Sequence, residues 1–220
     1  MFLGHFALAM AAKRVAPTAS LGTLVLSAQF ADCLWPVLLL LGVEQVRIVP
    51  GVTRVTPLDF VSYPISHSLA TQLAWGLLLG AIYFLRRKDF RTAALGGALL
   101  PTHWLLDYFS HRPDMPLYPG GPKVGLGMWG SVPLTLVVEF GLFSAGVILY
   151  LMATRSKGGW NIGFWSFALF LALMSPASLF GPPPPSVRVL AFTALALWLT
   201  IPWGAWGDRQ RETRTLAQRG

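Results

Sequence analysis

Six stretches of the chain stay apolar for about 20 residues each, roughly 19–43, 65–85, 92–110, 132–153, 160–180 and 187–206. Polar, glycine-bearing or proline-bearing segments separate them. About 20 helical residues at 1.5 Å each cross the hydrocarbon of a bilayer. The pattern therefore predicts an all-α, polytopic membrane helix bundle of about six transmembrane helices. The opening "MFLGHFALAMAA" is too short to span. It lacks the basic start of a secretory signal, although its "AMAA" superficially resembles a cleavage site. It is expected to stay as a short N-terminal re-entrant or interfacial helix. "GPPPPS" at 181–186 forms a stiff connector with few backbone donors. No internal repeat stands out, so one integral membrane domain is expected over 1–220. Its parts are a motif-bearing region (1–153), two further helices (160–206) and a basic cytoplasmic tail (207–220).

Composition supports the membrane reading. The 220 residues are 54% hydrophobic and 12% charged, with nine Trp and fourteen Phe, too little polar surface for a soluble domain of this length. A net charge of +8 invites a nucleic-acid partner. The basic residues, however, lie in short clusters between apolar stretches, as in membrane loops, and no nucleic-acid partner is expected. Across the six spans, twelve Lys and Arg fall on one side (13, 14, 86, 87, 88, 91, 155, 157, 209, 211, 214, 219) and five on the other (47, 54, 112, 123, 188). The positive-inside rule then puts both termini in the cytoplasm and the loops 44–64 and 111–131 outside. Trp129, Trp160, Trp203 and Trp206 fall near span ends, where interfacial aromatic belts occur. Cys33, the sole cysteine, cannot form an internal disulfide and reads as packing.

Ionisable side chains inside spans are costly and normally face a partner, a cavity or a site. Asp32 lies in the first span, His67 at the mouth of the second, His103 and Asp107 in the third and Glu139 in the fourth, with His5 in the opening segment. His103 and Asp107, in "HWLLD", share one helix face. Counted along the helices, these residues lean toward the outer half of the membrane, and His5 reaches about 12 Å in from Lys13 and Arg14, toward Asp32. His67, His103, Asp107, His5 and Asp32 form a mixed nitrogen and oxygen set suited to Zn²⁺ and also to Mn²⁺ or Fe²⁺. Hydrogen bonding between helices explains the same residues without a metal. His111 and Asp114, in "HRPDMPLYPGGP", are accounted for by turn chemistry in an exposed loop.

Four motifs in order carry a resemblance: "GHF", Asp32 followed by "WP", "SHS" and "HWLLD". Over roughly its first 130 residues the chain resembles the membrane-bound metal-dependent hydrolases of the YdjM-like kind, described as LexA-regulated inner-membrane proteins of enterobacteria. The resemblance implies a bacterial inner-membrane hydrolase with a metal held at His5, Asp32, His67, His103 and Asp107. The chain departs from the family's Pro-Asp-x-Asp-His, reading Ala31, Asp32, Cys33, Leu34, Trp35, and carries Ser62 where the family has the first His of His-Arg-Gly-x-Thr-His-Ser. Three family ligands are absent, which leaves a set for one ion.

The expected function is a single-metal hydrolase near the outer leaflet acting on a lipid or other amphiphilic substrate, with the bilayer as its surroundings. Asp32 completes or orients the metal shell, and Glu139 is the expected general base. The alternative is a non-catalytic membrane scaffold or accessory subunit with a protein partner in the membrane. A bis-histidine haem or an ion-coupled transporter would also place His and Asp within helices.

Overall fold

The computed structural model describes residues 1–214, and the chain over that range is an α-helical bundle. Its helices are α1 (Leu3–Val15), α2 (Leu21–Leu40), α3 (Pro64–His67), α4 (Leu69–Arg87), α5 (Phe90–Ser110), α6 (Val132–Ala153), α7 (Ile162–Phe180), α8 (Val187–Ala194) and α9 (Leu197–Arg209). Five segments are long and apolar enough to cross a membrane: α2, α4, α6, α7 and the stretch Val187–Arg209 that joins α8 to α9. The remaining expected span is α5. At 21 residues it is as long as the others, but Gly96, Gly97, Thr102, His103 and Asp107 dilute its apolar content. The span expected over 187–206 is interrupted at 195–196.

Side-chain caps set many of these boundaries. The hydroxyls of Ser20, Ser68, Ser131 and Ser186 and the carboxylate of Asp89 accept the N–H three residues on, each worth about 1 kcal/mol. Lys88 takes the left-handed conformation (φ 55°) that ends α4, and Asp89 starts α5 at once. The resulting helical hairpin is tight. Gly76 of α4 and Gly97 of α5 meet backbone to backbone, and a Cβ on Gly76 would lie 2.3 Å from the Gly97 carbonyl oxygen.

The opening segment lies inside the molecule. Nine of the thirteen residues of α1 are buried, and Leu3, Phe6 and Met10 join Leu21, Leu24, Phe164 and Phe167 in the main core. A helix enclosed in this way does not lie along the membrane surface, so of the two placements expected for it only the inserted one fits. Its close neighbour is α6, where Gly146 leaves room for the backbone of Ala7.

The two ends of the bundle differ in charge. At one end Lys13 of α1 reaches Asp208 of α9 at 2.6 Å and the Ala19 carbonyl at 2.6 Å. Tyr150 donates to the same carboxylate at 2.8 Å. A short antiparallel pair, β5 (Thr154–Ser156) with β6 (Arg211–Thr213), closes this end. Residues 207–214 of the expected basic tail are thus folded, while 215–220 lie outside the described residues. The other end carries the hairpin β1 (Gln45–Ile48) and β2 (Leu58–Ser62), then α3, then the antiparallel pair β3 (Met115–Pro116) and β4 (Lys123–Val124). These loops pack inward around Tyr63, Trp35, Trp104 and Met115. They roof the polar cluster.

Candidate metal centre

All four histidines of the chain come together at this end. His5 comes from the first turns of α1, His67 from the last residue of α3, His103 from α5, and His111 from the residue that ends α5. Asp32 comes from α2 and Asp107 from α5. His103 and Asp107 share a face as their spacing requires, with His103 Nε2 lying 3.1 Å from Asp107 Oδ2. His5 Nε2 lies 3.1 Å from the other oxygen, Oδ1, and the His5 and His103 rings stack at 3.6 Å, 8° from parallel. The terminal amine of Met1 also bonds Asp107 Oδ1. On the other side His67 Nε2 is 3.3 Å from Asp32 Oδ1, and His103 Nε2 is 3.9 Å from the same atom. Two groups of three, His5–His103–Asp107 and Asp32–His67–His103, each place their ligand atoms within 4.8 Å of one another and share His103.

The outward nitrogens show which ring atoms are left for a cation. His103 Nδ1 is 2.7 Å from the Ala28 carbonyl oxygen. A carbonyl can only accept, so Nδ1 carries the proton and Nε2 of the neutral ring presents a lone pair. That nitrogen is buried and accepts no hydrogen bond among the described residues; two carboxylates face it instead. His67 repeats the arrangement through a relay. Ser66 Oγ lies 2.6 Å from Glu44 Oε2 and 2.7 Å from His67 Nδ1. Its single proton goes to the carboxylate, so it accepts from Nδ1 and turns Nε2 toward Asp32 Oδ1, 3.3 Å away. Glu44 is held in turn by the N–H groups of Ile65 and Ser66, both at 2.8 Å. Oriented imidazoles backed by a carbonyl or carboxylate are the usual outer shell of metal-binding histidines.

Lone pairs facing carboxylate oxygens repel unless a proton or a cation lies between them. The spacing suits a cation. Two ligands on a tetrahedral ion with bonds near 2.1 Å stand about 3.4 Å apart, and the four separations here are 3.1, 3.1, 3.3 and 3.9 Å. A divalent ion would also add positive charge beside buried Asp107 and half-buried Asp32, where the Met1 amine reaches only Asp107. Each group of three has the donor types and spacing of a divalent-ion site, and the two groups share His103.

Glu139, expected as the general base, contacts the start of α1. One carboxylate oxygen accepts from Phe2 N–H at 2.9 Å and the other from the N–H of Phe2 and Leu3. It caps the exposed donors at the start of α1 and belongs to neither ligand group. Both of its oxygens are engaged by backbone donors, which ties it to α1.

His111 and Asp114 also depart from expectation, because both are buried and neither sits in an exposed loop. The His111 ring is packed between Phe60 and Trp129, with centroids at 4.8 and 4.2 Å. Trp129, expected in an interfacial belt, is part of this wall. His111 Nδ1 donates to Asp114 Oδ1 at 2.9 Å; the same carboxylate takes the Tyr63 hydroxyl at 3.2 Å and Arg112 Nε at 3.2 Å. Burial holds the His111 ring below its ordinary pKa, so it is neutral near pH 7. Burial, with Asp114 beside it, pushes the Tyr63 hydroxyl well above its ordinary value, which keeps it a donor. His111, His67, Asp32 and Asp107 line one cavity of about 200 Å³, walled by Trp35, Phe60 and Trp129. Sequence spacing gave no sign of Glu44, Ser66 or Tyr63, which act through loops that fold back on the helices.

Comparison with known proteins leaves the geometry to speak for itself: no family model, curated protein or solved structure matches this chain.

Proposed function

We propose that the chain is a membrane-embedded, metal-dependent hydrolase. It holds one divalent ion among His5, Asp32, His67, His103 and Asp107 and acts on a lipid or other amphiphilic substrate. One observation carries the reading: the Nε2 atoms of His67 and His103, each fixed by a bond on the opposite nitrogen, converge on the carboxylates of Asp32 and Asp107. The mixed donor set suits Zn²⁺ first, with Mn²⁺ or Fe²⁺ also accommodated. The resemblance of the first 130 residues to YdjM-like hydrolases points the same way. In this reading the basic end, where Arg209 and Arg211 lie, faces the cytoplasm, the amine of Met1 lies at the opposite end beside Asp107, and the site opens toward the outer leaflet of a bacterial inner membrane.

A divalent ion bound there supplies Lewis acidity and lowers the pKa of a water molecule. The chain's own residues divide the rest of the work. Asp32, which is partly open to the cavity, would hold the ion or orient a water beside it. His111, which lines the same cavity, would be the residue to take up a proton there, at Nε2, the nitrogen left free by the bond from Nδ1 to Asp114. Trp35, Phe60 and Trp129 exclude bulk water and present apolar surface to a substrate's tail.

The test is hydrolysis of p-nitrophenyl phosphate, a phosphodiester and acyl esters of graded chain length, in mixed micelles with the metal-loaded protein. Chelator-sensitive cleavage of at least one class is expected. His111→Gln should slow it about 100-fold while the metal content stays unchanged. Absence of chelator-sensitive cleavage across the panel would overturn the hydrolase reading.

A further inference from the structure

A second site lies at the opposite, basic end, outside the cluster described above. Between α2 and the α4–α5 hairpin runs a groove of about 300 Å³, from Leu26 and Leu79 up to Arg86 and Arg87. Gly80, Gly96 and Gly97 keep it open by presenting no side chain, and Tyr83 and Thr92 add polar atoms near the arginine end. Both arginines are exposed, and among the described residues neither forms an ion pair. The acid nearest in sequence is already committed. Asp89 caps α5 and accepts from Thr92 Oγ1 at 2.6 Å and Thr18 Oγ1 at 3.2 Å, and these bonds hold its carboxyl below the usual range. Residues 86–91 thus bring four cations and one occupied carboxylate to this rim.

We propose that this groove binds one anionic phospholipid, its phosphate between Arg86 and Arg87 and one acyl chain along Leu26 and Leu79. Two features select this occupant. Arg86 lies seven positions after Leu79, which at helical rise is about 10 Å, so apolar floor and cationic rim stand in the order of an acyl chain and its headgroup. A zwitterionic lipid brings its own ammonium against the guanidinium pair, whereas an anionic one presents its phosphate charge to the pair with no cation of its own. The wider groove on the far side of the α4–α5 crossing, about 570 Å³ and lined by Leu73, Leu77, Phe84 and Phe90, has no charged residue and offers no such selection.

The experiment is native mass spectrometry of the full chain released from nanodiscs of equal phosphatidylglycerol and phosphatidylcholine. One phosphatidylglycerol should be retained over phosphatidylcholine by about tenfold, the scale of two arginines at an anionic headgroup. Arg86→Gln with Arg87→Gln should reduce that ratio to near one. Lys88→Gln with Arg91→Gln removes the same charge outside the groove and should leave the ratio intact. Equal retention of both lipids by the unaltered chain would overturn the proposal. So would equal loss in the two double variants, which would show a diffuse field and no site. Divalent-metal content, measured on the same samples, reports on the other end of the bundle separately.

Discussion

Replacing His103 and Asp107 together with alanine abolishes divalent-metal binding if the two groups of three share one ion. His103 belongs to both groups, and the two oxygens of Asp107 face His5 and His103 in turn. Removing this pair leaves His5 without a carboxylate partner and leaves Asp32 and His67 as a group of two. The loss should exceed about 100-fold in affinity, the upper range for residues that only orient a ligand. Isothermal titration with Zn²⁺ reads it directly. His103→Gln with Asp107→Asn, which keeps volume and polarity, should bind as poorly. Full metal retention in either pair would contradict the assignment.

Gly146→Val is expected to produce the largest change in stability. A Cβ at position 146 would sit 2.6 Å from Ala7 Cα and 2.7 Å from the Ala7 carbonyl oxygen. Those are backbone atoms of a helix enclosed on its other faces, so no rotamer change relieves the clash and α1 must move away from α6. Overpacking of this kind costs about 3 kcal/mol. Reversible unfolding in mixed micelles should show that loss. Because α1 carries His5, metal affinity should fall as well, and a variant with unchanged stability would mean that the two helices are not held so closely.

The helices were legible in the sequence because apolar runs of about 20 residues have few other uses. The cluster was legible for the complementary reason. His5, Asp32, His67, His103 and Asp107 are ionisable groups where the surroundings are hydrocarbon, and the structure brings those five into two adjoining groups of three that share His103. What could not be seen depends on chain reversal in the loops. Glu44 and Ser66 reach His67 through the turn that starts α3. His111 turns inward because Phe60 and Trp129 cover its ring, and neither partner is near it in sequence. Glu139 was conspicuous as a buried acid, but its partners are backbone N–H groups, which no residue pattern reveals. The placement of α1 was left open because a short apolar helix can lie on a membrane or within a protein, and Gly146 alone did not disclose which surface it served.

The account depends on imidazole nitrogens and carboxylates from four separate helices meeting around one cation. X-ray absorption at the metal edge, combined with elemental analysis of the full chain purified without chelators, tests that dependence most directly. It should find about one divalent ion per chain, with a shell of nitrogen and oxygen near 2.0–2.2 Å and no sulfur. A chain that carries no ion and takes none up, or one whose metal is bound through Cys33 sulfur, would contradict it.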